Sequence, residues 1–410
     1  MKSMKVLAIT ALTMAALEGT AAAQSADVLH YWTSGSEAKA LGAIARAYEE
    51  QGGEWVDSAV ADFDTERSVA MNRFAGGNPP TAMLTELGQQ VVQMSEAGLL
   101  RDISALAEDG DWKSVLPPAV VEAVTVDGKF TAIPVDIGGR NWMYYSPKVL
   151  SDAGVEVPTT WDEFLAAAEK IKAAGYIPLA LGGQSWQEAL LFSSVMAGVG
   201  GNDFFKKVYE EGDAEAARGP EMVKVFETYR KLGAYVDEGS PGRAWNDATN
   251  LVITDQAAAI VMGDWAKGEF ANAGLEPGEG FGCVLAPGTQ HFYDIIVDAF
   301  AFPKVSEDAQ AAQDKLAKVM MDPAVQVDFN RIKGSLPPRL DADVSTLDSC
   351  AVKGQEVLAA DDTYVPSINS QPNNDVAGQL EDIVSEFWNT PDMSAQDAAE
   401  RYGDVLESAQ

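Results

Sequence analysis

The sequence predicts an α/β fold made of two lobes with a ligand cleft between them. Three observations support this prediction. The chain has 410 residues, enough for about two or three domains of ordinary size. Stretches typical of strands and of helices alternate along most of its length. No linker rich in proline, glycine or serine separates two halves, so we expect the chain to cross directly between the lobes at a hinge.

The first part of the chain predicts a β-α-β-α-β order. Strands are predicted at 27–33, 54–61 and 81–85, and helices at 35–51, 65–75 and 89–97. In the first helix Ala38, Leu41, Ile44 and Tyr48 recur on one face, which indicates a helix with one buried side. The segment Gly76-Gly77-Asn78-Pro79-Pro80 ends the second helix. This alternation is typical of an open, mostly parallel sheet covered on both faces.

A second α/β unit is predicted to begin near residue 135. Just before it, Asp127-Gly128 lies between two alternating runs and predicts a hairpin. Thr160 and Glu163 predict a capping box that opens a helix. The other predicted elements are strands at 177–181, 256–262, 281–286 and 295–302, and helices at 220–236, 247–255 and 265–272. The C-terminal part is predicted to be mostly helical.

The charge of the chain argues against several classes of partner. Acidic residues outnumber basic residues 62 to 29, which gives a formal net charge of −33. Such a surface repels phosphate backbones and anionic lipid headgroups, so we expect no nucleic-acid partner and no membrane-surface partner. Because the acidic residues are spread along the chain, the excess favours a role in solubility over an acidic docking tail.

The scarcity of histidine and cysteine excludes much enzymatic chemistry. The sequence has only two residues of each type. It has no H-E-x-x-H motif, no Cys/His set for structural zinc and no phosphate-binding loop. No G-x-S-x-G motif supports a Ser–His–Asp triad. We therefore expect no metal site and no cofactor. Carboxylate pairs are abundant, so a glycosidase remains open as an alternative.

Residues 1–23 have the features of a secretory signal peptide. Lys2 and Lys5 precede an apolar run at 6–17, and Ala21-Ala22-Ala23 supplies the small residues of a cleavage site. The apolar run is too short to span a bilayer, so no membrane anchor is expected. The mature protein is therefore predicted to be exported to the periplasm.

Export affects how the two cysteines are interpreted. In an oxidising compartment, a pair of cysteines is first interpreted as a disulfide. Cys283 and Cys350 would close a loop of about 67 residues, to which the chain-entropy model assigns about 4 kcal/mol of stabilisation. Two separate buried thiols are the alternative.

Aromatic and polar side chains stand together where the first predicted strand ends. Tyr31-Trp32-Thr33-Ser34-Gly35-Ser36-Glu37 leads from this strand into a helix. Ligands of open α/β sheets bind outside the carboxyl ends of strands. Sugar rings stack on aromatic rings and offer hydroxyls to carboxylates, so Tyr31, Trp32 and Glu37 suggest a sugar site. The alternative is a core aromatic pair, with Glu37 favoured by the helix dipole.

Similar pairings of aromatic and polar residues recur after other predicted strands. They are Asn141-Trp142, Gly183-Gln184-Ser185-Trp186-Gln187 and Gly263-Asp264-Trp265. Each alone fits packing better than ligand contact. Their recurrence at the same structural place favours binding.

With these residues, the chain resembles the periplasmic sugar-binding proteins of ABC importers, the family 1 extracellular solute-binding proteins. It is most similar to their glucose/mannose-binding group, from about Val28 to the C-terminal helices. The segments that carry the resemblance are His30-Tyr31-Trp32-Thr33-Ser34-Gly35-Ser36-Glu37, Gly77-Asn78-Pro79-Pro80, Gly182-Gly183-Gln184-Ser185-Trp186-Gln187, Met262-Gly263-Asp264-Trp265-Ala266-Lys267, Pro287-Gly288-Thr289-Gln290 and Lys333-Gly334-Ser335-Leu336-Pro337.

The resemblance implies a set of site residues and supports the disulfide. The sugar contacts that it implies are at Tyr31, Trp32, Glu37, Trp265, Asp298 and Lys333. Cys283 and Cys350 match the cysteine pair of the group. Stacking rings, hydroxyl acceptors and one charged donor are the groups that a sugar needs.

Several positions depart from the glucose binders that the chain resembles. Tyr31-Trp32 stands where the group has Trp-Trp, Glu86 where it has a lysine, Ile296 where it has an asparagine, and Ser370 where it has a histidine. A carboxylate at the cleft rim accepts hydrogen bonds and repels anions. If Glu86 faces the ligand, the departure predicts a neutral or cationic sugar-like solute and the rejection of sugar acids and sugar phosphates.

The sequence therefore predicts a monomeric periplasmic binding protein with the two-lobe fold of that class. It binds a small carbohydrate, closes by a hinge and delivers the ligand to an ABC permease. The first lobe is predicted to comprise 24–132 plus 289–343, and the second 133–288 plus 344–410. One alternative keeps the fold but binds a polyol or a glycosylated osmolyte. Another is a secreted carbohydrate-active enzyme that uses Glu37 and Asp298.

Overall fold

Two main β-sheets, each covered by helices, organise the chain. The computed structural model describes residues 24–370 and 372–409, so the predicted signal peptide at 1–23 lies outside the described residues. In the described residues the strands are β1 (Gln24–His30), β2 (Gly53–Ala59), β3 (Ala82–Glu86), β4 (Thr125–Val126), β5 (Lys129–Phe130), β6 (Ala132–Pro134), β7 (Gly138–Gly139), β8 (Trp142–Tyr145), β9 (Ile177–Ala180), β10 (Ala257–Met262), β11 (Gly282–Leu285), β12 (Ile295–Ile296) and β13 (Asp298–Ala301).

Helices make up most of the remaining regular structure. In chain order they are α1 (Gly35–Glu50), α2 (Phe63–Ala75), α3 (Gln89–Glu96), α4 (Ser104–Asp109), α5 (Trp112–Val115), α6 (Pro118–Ala123), α7 (Pro147–Ala153), α8 (Trp161–Ala173), α9 (Ser185–Gly200), α10 (Asn202–Phe205), α11 (Ala214–Arg218), α12 (Pro220–Leu232), α13 (Trp245–Ile253), α14 (Ala266–Asn272), α15 (Glu307–Met320), α16 (Pro323–Lys333), α17 (Ser349–Ala359), α18 (Asn374–Asn389) and α19 (Ala395–Ser408). A π-helical turn follows α10 at Lys206–Glu210, and 3₁₀ turns lie at Gly233–Tyr235, Val344–Thr346 and Ile368–Ser370.

The first sheet has the order β2-β1-β3-β13-β6. Strands β1, β2 and β3 are parallel, as their βαβ connections require. Strand β13 is antiparallel to both of its neighbours, because it enters from a distant part of the chain. The α/β class is confirmed, while the expectation of a mostly parallel sheet holds only for the first three strands.

The second sheet has the order β11-β8-β10-β9, and a narrow ribbon lies between the two sheets. The chain leaves the first sheet after β6, builds the whole second sheet, and returns with β13. The outgoing connection contains β7 and the returning connection contains β12, and these two strands pair to form the ribbon. Ile137 also bridges to Leu336, so a third passage of the chain runs beside these two.

Local signals in the sequence account for several element boundaries. Asp127 and Gly128 both have positive φ, at 51° and 76°, as the two-residue hairpin between β4 and β5 requires. Thr160 and Glu163 form the predicted capping box at the start of α8. Both predictions are confirmed.

Two predicted strands differ from the observed ones. Strand β1 ends at His30, three residues earlier than expected, because its pairing with β2 ends at the His30–Ala59 pair. The aromatic residues that follow have high β-propensity, but no strand of the described residues pairs with them. The strand expected at 295–302 is split at Val297, where the chain passes from the ribbon into the first sheet.

A disulfide joins Cys283 to Cys350 with a Cα–Cα distance of 6.0 Å, which confirms that prediction. It ties α17, in the C-terminal part of the chain, to β11 at the edge of the second sheet. Near it, Lys267 Nζ lies 2.9 Å from an oxygen of Asp348, the residue that caps α17. Helices α18 and α19 then pack on α9, α11 and α12.

Among residues 24–370 and 372–409, no helix is both long enough and apolar enough to cross a bilayer.

Candidate functional site

The ammonium group of Lys333 lies at the centre of a buried charge cluster between the two sheets. Its Nζ is 3.7 Å from Asp298 Oδ2 and 3.9 Å from both Glu37 Oε1 and Asp136 Oδ2. We call Lys333, Glu37, Asp136 and Asp298 the Lys333 cluster. The side chain of Lys333 is only 2% exposed. A buried ammonium needs such partners, because removing a charge from water is costly.

The end of α16 fixes the position of Lys333. Gly334 caps the helix with a φ of 105°, a conformation that favours glycine and allows the chain to turn immediately after the lysine. One turn earlier, the Asn330 amide donates to the carbonyl of Val135 at 2.8 Å. This bond ties α16 to the segment that carries Asp136, so the lysine and the carboxylate are positioned together.

Two indole rings flank the same ammonium group. Lys333 Nζ lies 4.7 Å from the ring centroid of Trp32 and 5.7 Å from that of Trp265. Trp32 is 2% exposed and packs on Phe300 and Phe329, with centroid distances of 5.9 Å and 5.5 Å. Trp265 is half-buried. Of the two rings, Trp265 is therefore the one that is more accessible to a ligand.

Trp186 and Tyr31 lie next to these rings. The Trp186 ring is 6.4 Å from Trp265, so two aromatic–polar segments of the second sheet meet. Tyr31 is half-buried and makes an edge contact with Phe63 at 5.8 Å. Burial, together with the nearby carboxylates of Glu86 and Asp298, raises the pKa of the Tyr31 phenol well above its ordinary value.

Glu37 reaches the cluster from the first turn of α1. Ser34 caps this helix by accepting a hydrogen bond from the Glu37 N–H at 3.3 Å. A carboxylate at a helix N-terminus is favoured by the helix dipole. Burial nevertheless raises the pKa of Glu37, and Lys333 opposes that rise.

Asp136 and Asp298 form a close pair of carboxyl groups. The backbone N–H of Asp298 donates to Asp136 Oδ1 at 3.1 Å. Burial and the charge of Asp298 raise the pKa of Asp136 well above its ordinary value, and burial also raises the pKa of Asp298. Two buried carboxylates this close cannot both ionise freely, so the pair tends to retain a proton.

Glu86 lies opposite Asp298 in the antiparallel pairing of β3 with β13. It is partly buried, and burial with the charge of Asp298 raises its pKa to about 7. Arg140 and Lys333 act in the opposite direction. Arg140 is itself held by Asp294, with Nη2 2.7 Å from Oδ1. The charge of Glu86 is therefore partly balanced within the protein.

Asp264 approaches the cluster from the second sheet. Its Oδ2 accepts a hydrogen bond from the Gly139 N–H at 3.0 Å. A Cβ at Gly138 would lie 2.8 Å from Asp264 Oδ1, so only glycine leaves room for this approach. Burial raises the pKa of Asp264 to about 7, while Lys333 and Lys267 oppose the rise.

The structure brings the sequence-predicted residues into one region. Trp32, Glu37, Trp265 and Asp298 surround Lys333 within the distances given above, while Tyr31 and Glu86 interact electrostatically with the same carboxylates. Ile296 lies beside this region in β12. Of Ser370, only its place in a 3₁₀ turn is described.

Sequence reasoning missed Asp136 and Arg140, and it named Asp264 only as part of the segment Gly263-Asp264-Trp265, without a sugar contact of its own. Asp136 and Asp264 each follow a buried strand, β6 and β10 respectively, so their position at a strand exit was the available signal. Arg140 carried no signal, because its relation to Glu86 depends on how the ribbon lies against the first sheet. Within the described residues, no group of three or more His, Cys, Asp and Glu side chains is arranged to hold a metal ion.

Comparison with known sequences gives one family and a set of close relatives. Residues 31–327 match the model of the family described as bacterial extracellular solute-binding protein. A probable sugar-binding periplasmic protein of Rhizobium meliloti is 36% identical over 100% of this chain and 99% of its own length. A protein of the same description from Brucella melitensis is 38% identical, over 94% of this chain and 93% of its own length.

Solved structures of binding proteins superpose on most of this chain, which shows that they share its fold. A chitin oligosaccharide binding protein superposes with a TM-score of 0.81 at 20% identity, covering 94% of this chain and 99% of the other. A solute-binding protein of Thermotoga lettingae bound with alpha-D-tagatose gives a TM-score of 0.75 at 20% identity, covering 94% and 100%. The two-lobe arrangement expected from the sequence is therefore confirmed.

Proposed function

Because this chain belongs to the family of bacterial extracellular solute-binding proteins, we propose that it binds a small carbohydrate in the periplasm and delivers it to an ABC permease. The observation that carries the proposal is the Lys333 cluster, which lies between the two sheets with an indole ring on either side. The relatives described as probable sugar-binding periplasmic proteins support it.

The chemistry of the cluster suits a ring that carries several hydroxyl groups. Glu37, Asp136 and Asp298 offer carboxylate oxygens as acceptors, and Lys333 offers charged donors. The half-buried face of Trp265 offers a surface for the apolar side of the ring. Each of these groups binds without making or breaking a covalent bond, so the mechanism is binding, lobe closure and release.

We further propose the division of the chain that the mechanism requires. After removal of the signal peptide at 1–23, one lobe comprises about 24–132 plus 289–343 and the other about 133–288 plus 344–410. Since β6 (Ala132–Pro134) pairs within the first sheet, the first crossover lies just after this strand. The ribbon of β7 and β12 supports a hinge between them, since it joins the outgoing and returning passages of the chain. The protein acts as a monomer, and its closed form is what the permease recognises.

A ligand screen tests the proposal directly. Mature protein is titrated with neutral mono- and disaccharides while its melting temperature and tryptophan fluorescence are followed. A ligand that binds only the folded state raises the melting temperature. At least one sugar is expected to give a saturable shift with no product formed from glycosides. Steady product formation would favour the carbohydrate-active enzyme, and no response to any sugar would refute the proposal.

Replacing Trp265 by alanine is expected to weaken sugar binding by about 1–3 kcal/mol, because the ring on which the ligand stacks is lost. Replacing Trp32 is expected to lower stability as well, since that ring packs on Phe300 and Phe329. Trp55→Ala is the matched control, because Trp55 is also partly buried but lies in β2, at the far edge of the first sheet.

Calorimetric titration with the tightest-binding sugar measures the loss of affinity, and thermal unfolding measures the loss of stability. Unchanged affinity of a well-folded Trp265→Ala protein would assign Trp265 to packing alone. A loss of affinity in Trp55→Ala equal to that in Trp265→Ala would show that the effect is not specific to the cleft.

A further inference from the structure

The Lys333 cluster and its surroundings hold more acidic than basic groups. Around the single ammonium of Lys333 stand three carboxyl groups, and Asp264 and Glu86 lie just beyond them. The other nearby cations are already paired, Arg140 with Asp294 at 2.7 Å and Lys267 with Asp348 at 2.9 Å. Buried carboxylates without a counter-charge are costly. The site therefore offers favourable electrostatics to one further positive charge.

Asp136 Oδ2 is the atom at which we expect this additional positive charge to bind. Asp136 is 1% exposed, and its Oδ1 accepts the N–H of Asp298. Its Oδ2 accepts no hydrogen bond from any residue that the structure describes. The nearest cationic atom is Lys333 Nζ at 3.9 Å, which is beyond hydrogen-bond distance. A buried acceptor left without a donor loses stability that a suitable donor would restore.

We propose that the ligand carries an ammonium group, which binds between Asp136 and Asp298, so that the substrate class is a basic amino sugar. This inference rests on the proposed function and makes its ligand specific. An ammonium brings three donors and a positive charge, whereas a hydroxyl brings one donor and no charge. Charge-assisted hydrogen bonds of this kind are about twice as strong as neutral ones.

Binding of an ammonium group is also expected to release a proton from Asp136 and Asp298, which can be measured. Burial and mutual repulsion raise the pKa of both Asp136 and Asp298, so the pair retains a proton that an arriving ammonium replaces. The charged and titratable groups that face the pair are Lys333 on α16, Glu37 on α1, Tyr31 after β1, Glu86 on β3, Asp264 after β10 and Tyr293 before β12. Amino-sugar binding is therefore expected to tighten as the pH rises and the pair loses that proton, while the amine stays charged.

The test compares amino sugars with their neutral parents. Glucosamine, galactosamine and mannosamine are each titrated against glucose, galactose and mannose by calorimetry, in two buffers of different ionisation enthalpy. At least one amino sugar is expected to bind about tenfold more tightly than its parent, or better. Its binding releases protons into the buffer, and that of the parent sugar does not.

Two variants place the effect on Asp136. In Asp136→Asn, the affinity for the amino sugar divided by the affinity for its neutral parent is expected to fall towards one. Glu188→Gln is the matched control, since Glu188 is a buried acid whose carboxylate binds Asn389 in the helical layer of α9 and α18. It is expected to leave the ratio unchanged. If Asp136→Asn fails to fold, the difference in affinity of the wild type for amino sugars and for their neutral parents still decides the question.

The outcomes separate this inference from the proposed function. If the parent sugars bind as tightly as the amino sugars, the inference is overturned and the sugar-binding function stands. If Asp136→Asn folds and keeps the wild-type ratio, the ammonium is not at Asp136 and the inference is overturned. If neither class of sugar binds, the proposed function itself fails, and the inference with it.

Discussion

Replacing Lys333 by methionine is expected to lower the free energy of unfolding by about 3–5 kcal/mol at neutral pH, the cost of removing one partner from a buried charge pair. The substitution keeps the length and apolar contacts of the side chain beneath Trp32 and removes only the ammonium. Glu37, Asp136 and Asp298 then face each other in a buried space without the charge that lies 3.7–3.9 Å from each of them.

The loss of stability is expected to depend on pH in a definite direction. Burial and mutual repulsion already raise the pKa values of Glu37, Asp136 and Asp298, and Lys333 opposes the rise in each. Without the ammonium these values rise further. The folded state then binds more protons than the unfolded state above the ordinary carboxyl pKa, so stability falls as the pH increases. The deficit of Lys333→Met is therefore largest at neutral pH and smaller near pH 5.

Urea unfolding of both proteins at several pH values measures this effect. Lys318→Met is the matched control, because Lys318 forms an exposed pair with Asp109 at 3.4 Å. Such exposed pairs contribute about 0–1 kcal/mol. A Lys333→Met protein as stable as wild type at neutral pH would show that the carboxyl groups of the cluster are fully protonated there. A deficit that grows towards acid pH would contradict the direction derived above.

The sequence predicted the elements whose causes are local. The Asp127-Gly128 hairpin and the Thr160 capping box depend on residues within a few positions of each other, and both are observed. The end of β1 depends on where its partner β2 ends, and the break at Val297 depends on the chain changing sheets. Those boundaries are set by distant contacts, which no local pattern contains.

The site could be predicted only in part, for the same reason. Residues next to recognisable segments, such as Glu37 and Trp265, were named from the sequence. Asp136 was missed because its importance comes from Asp298, which is 162 positions away and joined to it by one backbone hydrogen bond. Trp32 was named from the sequence as a sugar contact, but its burial against Phe300 and Phe329 follows from packing that spacing along the chain does not reveal.

The disulfide between Cys283 and Cys350 has its main effect on the unfolded chain. In the folded protein, other contacts hold the same elements together. Lys353 Nζ donates to the carbonyl of Cys283 at 2.9 Å, and Asp348 both caps α17 and pairs with Lys267. The native position of α17 therefore does not depend on the S–S bond alone. The unfolded chain has no such contacts, and there the bond closes a loop between residues separated by 67 positions.

Removing the disulfide with Cys283→Ala and Cys350→Ala together is expected to lower the free energy of unfolding by about 4 kcal/mol, from the chain-entropy model. In urea, the free energy of unfolding of the variant is expected to fall more steeply with denaturant concentration, because its unfolded chain is less compact and exposes more surface. Alkylation of denatured, unreduced wild type should label no thiol. Reduced wild type should have the same stability as the double variant. Equal stability of the oxidised wild type and the variant would contradict this account. A large loss of stability with an unchanged denaturant slope would place the effect in the folded state, on the packing of α17 against β11.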